Sequence, residues 1–490
     1  MSVELRQGHV LDLLRDMPTA SVHCVVTSPP YYALRDYRLE PTIWGGDAEH
    51  AHEWGVALRA PWANEVPGPS ANHPKNGDAG HWRPKEAGGL CPCGAWRGSL
   101  GLEPSPELYV GHLLEVFAEV WRVLRPDGCL FLNLGDSYAG SGKGPSKAIS
   151  QRGRMATRTI SGRQSGAGRC GGEAKSKDLL LMPYRTVMAL QAAGWYVRSQ
   201  IVWHKPACMP ESVQDRPTSS WEPIFLLARN ARYFFDAQAV REESSEPDAV
   251  RLDAFGGANG HLVRHSVGST FTGSASRNLR NVWSLSPEPF ASAHFATFPT
   301  SIPDRCIRAG TSEHGCCAEC GAPWRRTTSS RLVKSPAHGP GSQMRTDREN
   351  GQNVNGWAGM PRLRGEVATT GWQPACKHDA EPVPCTVLDP FAGAGTTLMV
   401  ADRLGRHAIG LELNPDYVAM AERRVAQDRE ARVQADRVER ELRLGQVGMF
   451  AEVGREPHQP HVPRSDKQSE LGKKTYVGFN ERWREQEHAS

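Results

Sequence analysis

Two short segments of this 490-residue chain carry side chains suited to chemistry. The first is Thr27-Ser28-Pro29-Pro30-Tyr31-Tyr32, which follows the apolar run Val22 to Val26. A serine hydroxyl beside a backbone carbonyl held by two prolines makes a pair of acceptors, since each proline fixes φ. Such a pair can hold the two hydrogens of an aromatic amine and favour a more tetrahedral nitrogen. Tyr31 adds a flat face on which a planar ring can stack. The plainer reading is a strand that ends in a Pro-Pro turn with two aromatic core residues. The second segment is Asp389-Pro390-Phe391-Ala392-Gly393-Ala394-Gly395. Gly393 and Gly395 let backbone approach a ligand where a Cβ would intrude. By itself this turn supports a nucleoside ligand and nothing sharper. The dehydrogenase GxGxxG spacing is absent, and no GKS/T follows to make a phosphate loop.

The elements around these segments predict how they are positioned. Cys385 to Asp389 reads as a buried strand, residues 396 to 404 as a helix ended by Gly405, and Ala408 to Leu411 as a second strand that finishes at Glu412. An acid at that distance from a glycine turn is where doubly wound folds hold ribose hydroxyls. Val22 to Thr27 reads as another strand, and it delivers Ser28 to a carboxyl end, where open α/β sheets place their active sites.

The order of these motifs resembles the circularly permuted, beta-type DNA amino-methyltransferases, the cytosine-N4 and adenine-N6 family, over roughly residues 4 to 428. Further segments carry the resemblance: Tyr109 to Asp136, with Arg125-Pro126-Asp127-Gly128 between a helix and the strand from Cys129; Gly194-Trp195-Tyr196-Val197 on to Trp203-His204-Lys205-Pro206; and His294-Phe295-Ala296-Thr297-Phe298-Pro299. The resemblance implies an α/β, Rossmann-like sheet with helices on both faces, and S-adenosylmethionine as cofactor. It assigns Asp389, Phe391, Gly393 and Gly395 to that cofactor, Glu412 to its ribose, and Phe295, Thr297 and Pro299 to its methionine end. A loop that packs its phenylalanines into the core is compatible with the last assignment. Ser28, Pro29, Pro30 and Tyr31 become the transfer site for a base flipped out of duplex DNA. One departure stands out: the family usually opens with Gly-Asp, whereas this chain has Gly8-His9 followed by Asp12. Either Asp12 substitutes or the adenine contacts come from elsewhere. Members with Ser-Pro-Pro-Tyr resemble cytosine-N4 enzymes, and Asp- or Asn-Pro-Pro-Tyr favours adenine N6. A catalytically silent DNA-binding relative is the alternative from another functional class.

Composition fits an α/β core with large insertions: 39% of residues are hydrophobic and the net charge is only +4. The catalytic half is expected over residues 1–236, with insertions near 45–100 and 139–178. A candidate target-recognition region follows over 237–293, then a cofactor half over 294–428 with a Cys-rich insertion near 313–380. Lys143, Lys147, Arg152, Arg154, Arg158, Arg163, Arg169, Lys175 and Lys177 crowd a Gly/Ser-rich stretch whose one acid is Glu173. That stretch is suited to DNA phosphates. Arg277-Asn278-Leu279-Arg280-Asn281 suits base edges, phosphates or solvent equally.

The chain has 12 cysteines, and residues 1 to 20 hold Arg6, Asp12, Arg15 and Asp16 rather than a leader, so a cytoplasmic protein is expected. Cys317-x2-Cys320 with Cys376-x-His378 has the spacing of a zinc ribbon, the polar stretch from Arg325 to Trp372 looping out between them. His50, His52, Cys91 and Cys93 form a second, tighter set around another insertion. Residues 415–444 read as a charged helix, and the residues beyond Arg455 as a disordered tail. No nuclease signature is present, so any restriction enzyme is expected to be a separate protein. The sequence does not decide between monomer and homodimer.

Overall fold

The computed structural model describes residues 2–34, 39–47, 49–55, 89–139, 175, 177–208, 210–243, 273–274, 276–288, 297–334 and 363–453, with side chains left aside at 273–274, 332–334, 363–365 and 443–453. The basic stretch from 140 to 174, Phe295, most of 237–293 and the tail beyond 453 lie outside the described residues.

Val22–Thr27 (β2) is buried at all six positions, as a strand covered on both faces must be. Its neighbours follow the same logic. Val25, Leu130 and Leu132 join one apolar cluster while Cys24, Val26, Cys129 and Phe131 join the other, so successive residues serve opposite faces. The remaining main-sheet strands are Val3–Gln7 (β1), Leu124–Asn133 (β3), Tyr196–His204 (β4), Trp221–Ala228 (β5), Val282–Ser284 (β6), Thr386–Asp389 (β7) and His407–Glu412 (β8). Their spatial order is β1-β8-β7-β2-β3-β5-β4-β6. Every ladder is parallel except the two on either side of β5. The first strand closes against the last, with Val3 opposite Ala408 and Gln7 opposite Glu412.

Helices Val10–Arg15 (α1), Pro106–Val123 (α2) and Met182–Ala192 (α3) contribute to one cluster; Ser301–Gly310 (α4), Thr396–Arg403 (α5) and the start of Pro415–Val453 (α6) contribute to the other. This is a Rossmann-like α/β sheet with helices on both faces. In α2, Ser105 caps the first turn by accepting from the Leu108 amide at 3.2 Å, and Pro106 occupies the first turn where no amide is needed. Arg125 to Gly128 is part of β3 rather than a turn before it; the ladder with β2 shifts register between Val22 and Cys24 to accommodate it. The chain forms two units, Met1–Glu430 and Ala431–Ser490. The described part of the second is a helix with exposed side chains and an Arg437–Glu441 pair at 3.0 Å.

Both described ends of the stretch between the Cys-rich segments are regular, and residues 335–362 between them lie outside the described residues. Arg325–Lys334 and Leu363–Gln373 pair as a long antiparallel hairpin. Thr327, Thr328, Val367, Thr369 and Thr370 give both strands β-branched residues, which favour a pleated surface even where the sequence is polar.

Candidate active site

Ser28 follows the carboxyl end of β2, and Asn133 closes β3 beside it. Glu222 comes from the amino end of β5, because that strand runs antiparallel and brings its start to the same edge. These three meet at Tyr31. The Tyr31 hydroxyl donates toward Asn133 Oδ1 at 2.9 Å and lies 3.0 Å from Glu222 Oε2, while Ser28 Oγ lies 3.2 Å from it and 3.3 Å from Asn133 Oδ1. Asn133 Nδ2 donates to the Pro223 carbonyl at 3.0 Å, which fixes the amide so that Oδ1 faces Tyr31. Lys205, just past β4, donates to Glu222 Oε1 and sits 4.3 Å over the Trp203 ring. The turn itself is held from behind: Tyr109 donates to the Pro30 carbonyl at 2.8 Å, and Ala33 N–H to the Gly101 carbonyl at 2.9 Å. A Cβ on Gly135 would stand 2.3 Å from Tyr31 Cε2, so the ring lies directly on backbone there.

The glycine turn stands on the other side of the same cleft. Asp389 ends β7 and is wholly buried. Its carboxylate accepts from Thr27 Oγ1 at 2.7 Å and from the Phe391 amide at 3.1 Å. Burial pushes its pKa up to about 6, against the pull of those donors. Glu412 ends β8; its two oxygens accept from the Gly393 and Asn414 amides, each at 2.8 Å. Burial raises its pKa as well. Gly395, at φ 73°, precedes α5, and a Cβ there would lie 2.7 Å from the Ala421 Cβ. The turn is therefore clamped between the sheet and α6.

One cleft is lined by Ser28, Pro29, Pro30, Tyr31, Thr297, Asp389, Phe391, Gly393 and Glu412, which unites residues more than 350 positions apart in sequence. Gly395 supports the turn from beneath without lining the cleft, and Pro299 is buried at the start of α4, where its carbonyl accepts from Ile302 N–H at 3.1 Å. Phe298, Asn133, Lys205 and Glu222 line the cleft and were not singled out from sequence. Asn133 and Lys205 were findable as polar residues at strand ends, whereas Glu222 required knowing that β5 is reversed. Thr42 and Trp44, just before the first insertion, and Ser99 and Leu100, at its end, also form wall.

Asp12 does not line the cleft: its side chain is 71% exposed, 3.3 Å from Arg15 and 4.0 Å from His9 Nδ1. His9 lines the cleft instead, edge-on to Trp44 at 4.6 Å. Its Nε2 is buried with no hydrogen-bond partner among the described residues.

Outside the cleft, Cys317, Cys320, Cys376 and His378 converge with donor atoms all within 4.8 Å, as do His50, Cys91 and Cys93. His52 Nδ1 lies 3.4 Å from Cys93 Sγ. Arg277 and Arg280 both pair with Glu242, at 3.1 and 2.8 Å, and Asn281 donates to the Gln200 carbonyl. Lys177, from the basic stretch, pairs with Asp215 at 2.6 Å. No helix among the described residues is long and apolar enough to cross a membrane.

Residues 22–318 and 385–423 match the N6/N4 methyltransferase family described as DNA methylase. The Type II methyltransferase M.Cfr9I of Citrobacter freundii is 30% identical over 426 residues, covering 86% of this chain and 87% of that protein. M.SmaI of Serratia marcescens is 26% identical over 436 residues, covering 87% and 92%. Among solved structures, the PvuII DNA methyltransferase (cytosine-N4-specific) aligns with a TM-score of 0.40 at 14% identity, over 87% of this chain and 91% of that one. On the extent of the family match and of the relatives' alignment, this chain belongs to the N6/N4 DNA methylase family.

Proposed function

We propose that the chain methylates the exocyclic N4 amine of cytosine in duplex DNA, using S-adenosylmethionine, with the base flipped into the cleft. The observation that carries this reading is the meeting of Ser28-Pro29-Pro30-Tyr31 with the Phe391 to Gly395 turn in one cleft. The residues suit the cofactor. Glu412 retains lone pairs for ribose hydroxyls beyond the two amides it already accepts, and the orphaned His9 Nε2 needs a polar partner such as a purine edge. Gly393 keeps its Cβ position open, and Thr297 and Phe298 line the same cleft. Phe295 retains its assignment from the resemblance alone. When bound, the sulfonium supplies a strongly activated methyl group.

The chain's own residues then bind, orient and exclude water. Ser28 Oγ and the Pro29 carbonyl accept from the amine's hydrogens, and Tyr31, locked by Asn133 and Glu222, offers its face to the base. No strong base is required, because the amine can release its proton to solvent or to Ser28 after attack. The neutral serine acceptor favours cytosine N4 over adenine N6. The relatives' names as Type II methyltransferases support pairing with a separate restriction enzyme, and a DNA substrate supports a cytoplasmic location.

The test is to incubate purified protein with tritiated S-adenosylmethionine and mixed duplex DNA, then resolve the methylated nucleosides. Label in N4-methylcytosine, reduced at least about 100-fold by Ser28→Ala, is expected. Label in N6-methyladenine would overturn the base assignment. Cofactor binding without any label would replace the enzyme with a silent DNA binder.

A further inference from the structure

We propose that the chain carries two structural zinc ions, one held by Cys317, Cys320, Cys376 and His378 and the other by His50, His52, Cys91 and Cys93. In the first set four donor atoms converge from two segments far apart in sequence. With Zn–S near about 2.3 Å and Zn–N near about 2.1 Å, a tetrahedral sulfur-to-nitrogen edge is about 3.6 Å. Cys317 Sγ lies 3.6 Å from His378 Nδ1. The backbone has the shape of a knuckle: Gly321 N–H donates to the Cys317 carbonyl at 2.8 Å, Cys317 N–H to the Ala322 carbonyl at 2.9 Å, and Gly321 turns at φ 69°. His378 directs its other nitrogen to Glu319 Oε2 at 3.9 Å, as a ligating histidine commonly faces a carboxylate.

The ion's task follows from what the knuckle touches. Arg125 donates to the Cys320 carbonyl at 2.7 Å, and His23 Nε2 lies 2.9 Å from the Gly321 carbonyl, both from the amino ends of strands in the main sheet. Zinc here closes the base of the long hairpin and fastens it to the sheet edge opposite the cleft. Cys320, Cys376 and His378 fall outside the residues that match the family, so the site belongs to this chain's insertion.

A different geometry carries the second ion. His50, Cys91 and Cys93 converge, and His52 Nδ1 stands 3.4 Å from Cys93 Sγ. Gly94, at φ 89°, donates to the Cys91 carbonyl, and Cys91 N–H to the Ala95 carbonyl, which closes a tight turn around the pair. This set backs the strand pair Thr42–Trp44 and Trp96–Gly98, whose Trp44 is cleft wall. A third convergence, His23 with Cys316 and Cys385, is not a site of this kind. His23 Nδ1 accepts from Thr386 N–H at 3.0 Å, so its proton sits on Nε2 and points at the Gly321 carbonyl, leaving no lone pair for a metal.

Metal content reads this proposal independently of methyl transfer. Full-length, tag-free protein from zinc-replete cells should carry two zinc ions per chain by mass spectrometry. Cys320→Ser with Cys376→Ser should leave one, and so should Cys91→Ser with Cys93→Ser. Wild type with fewer than two ions, or a double variant that keeps both, would overturn the corresponding site. Where a variant fails to fold, chelated wild type titrated with Co2+ decides: intense visible bands of tetrahedral cobalt–thiolate at two equivalents are expected, and their absence sinks the proposal.

Discussion

At the scale of single residues, the cleft is set by which polar groups are buried and which remain free to accept. The Tyr31 hydroxyl is surrounded by Ser28, Asn133 and Glu222, and Lys205 balances the Glu222 charge, so the aromatic ring is held in place by the protein alone. Asp389 shows the cost of such placement. Its pKa stands near 6 against an ordinary 3.8. Below about pH 4 it is neutral in folded and unfolded chains alike. As pH rises to about 6, the unfolded chain ionises first, so folding loses about 3 kcal/mol from this group. Above about 6 the loss is constant. Asp389→Asn, which does not titrate, should therefore gain on wild type between pH 4 and 6 and hold that gain above it, as read from urea denaturation across the range. A difference that stays flat would remove the burial argument.

At the scale of elements, the turn between β7 and α5 is legible as a turn but not as a packing surface. Gly393 and Gly395 are both left-handed, at φ 50° and 73°. Only Gly395 is crowded, by Ala421 of α6, whereas nothing approaches a Cβ on Gly393 closer than 4.0 Å. Alanine at either position pays roughly 1–2 kcal/mol for the backbone conformation. At 395 it must also push α6 away, adding roughly 1–3 kcal/mol of overpacking. Gly395→Ala should thus lower the melting temperature of the cofactor-free protein more than Gly393→Ala, and weaken cofactor binding in calorimetry although it lines no cleft. Equal melting losses would mean that α6 yields freely.

At the scale of the whole molecule, the hairpin is joined to the α/β sheet by charge as well as by the knuckle. Arg326 donates to Asp236 at 3.0 Å and to Glu313 at 2.6 Å, and lies 4.3 Å over the Trp372 ring. Asp236 is 5% exposed, so removing its partner strands a buried carboxylate. Arg326→Ala should destabilise by about 3–5 kcal/mol in chemical denaturation, with part restored by adding Asp236→Asn. No restoration would show that the loss comes from the Trp372 packing instead.

Local pattern determined a good deal of this protein. Val22 to Thr27 and Thr386 to Asp389 are strands because they are short, mainly apolar runs stopped by proline, and the glycine turn, α5 and β8 follow from periodicity and punctuation. Cys317-x2-Cys320 was legible as a knuckle, which is a local structure, while bringing Cys376 and His378 to it took the pairing of the intervening strands. Tertiary structure alone decided the direction of β5, and with it the arrival of Glu222 beside Tyr31, since strand direction depends on how the connections cross the sheet. It alone placed His9, and not Asp12, on the cleft wall, because which of these side chains faces the cleft depends on packing against Trp44 and not on residue type. It also paired the polar hairpin: cross-strand neighbours stabilise each other only once the two strands have met, and no single strand's sequence records its partner.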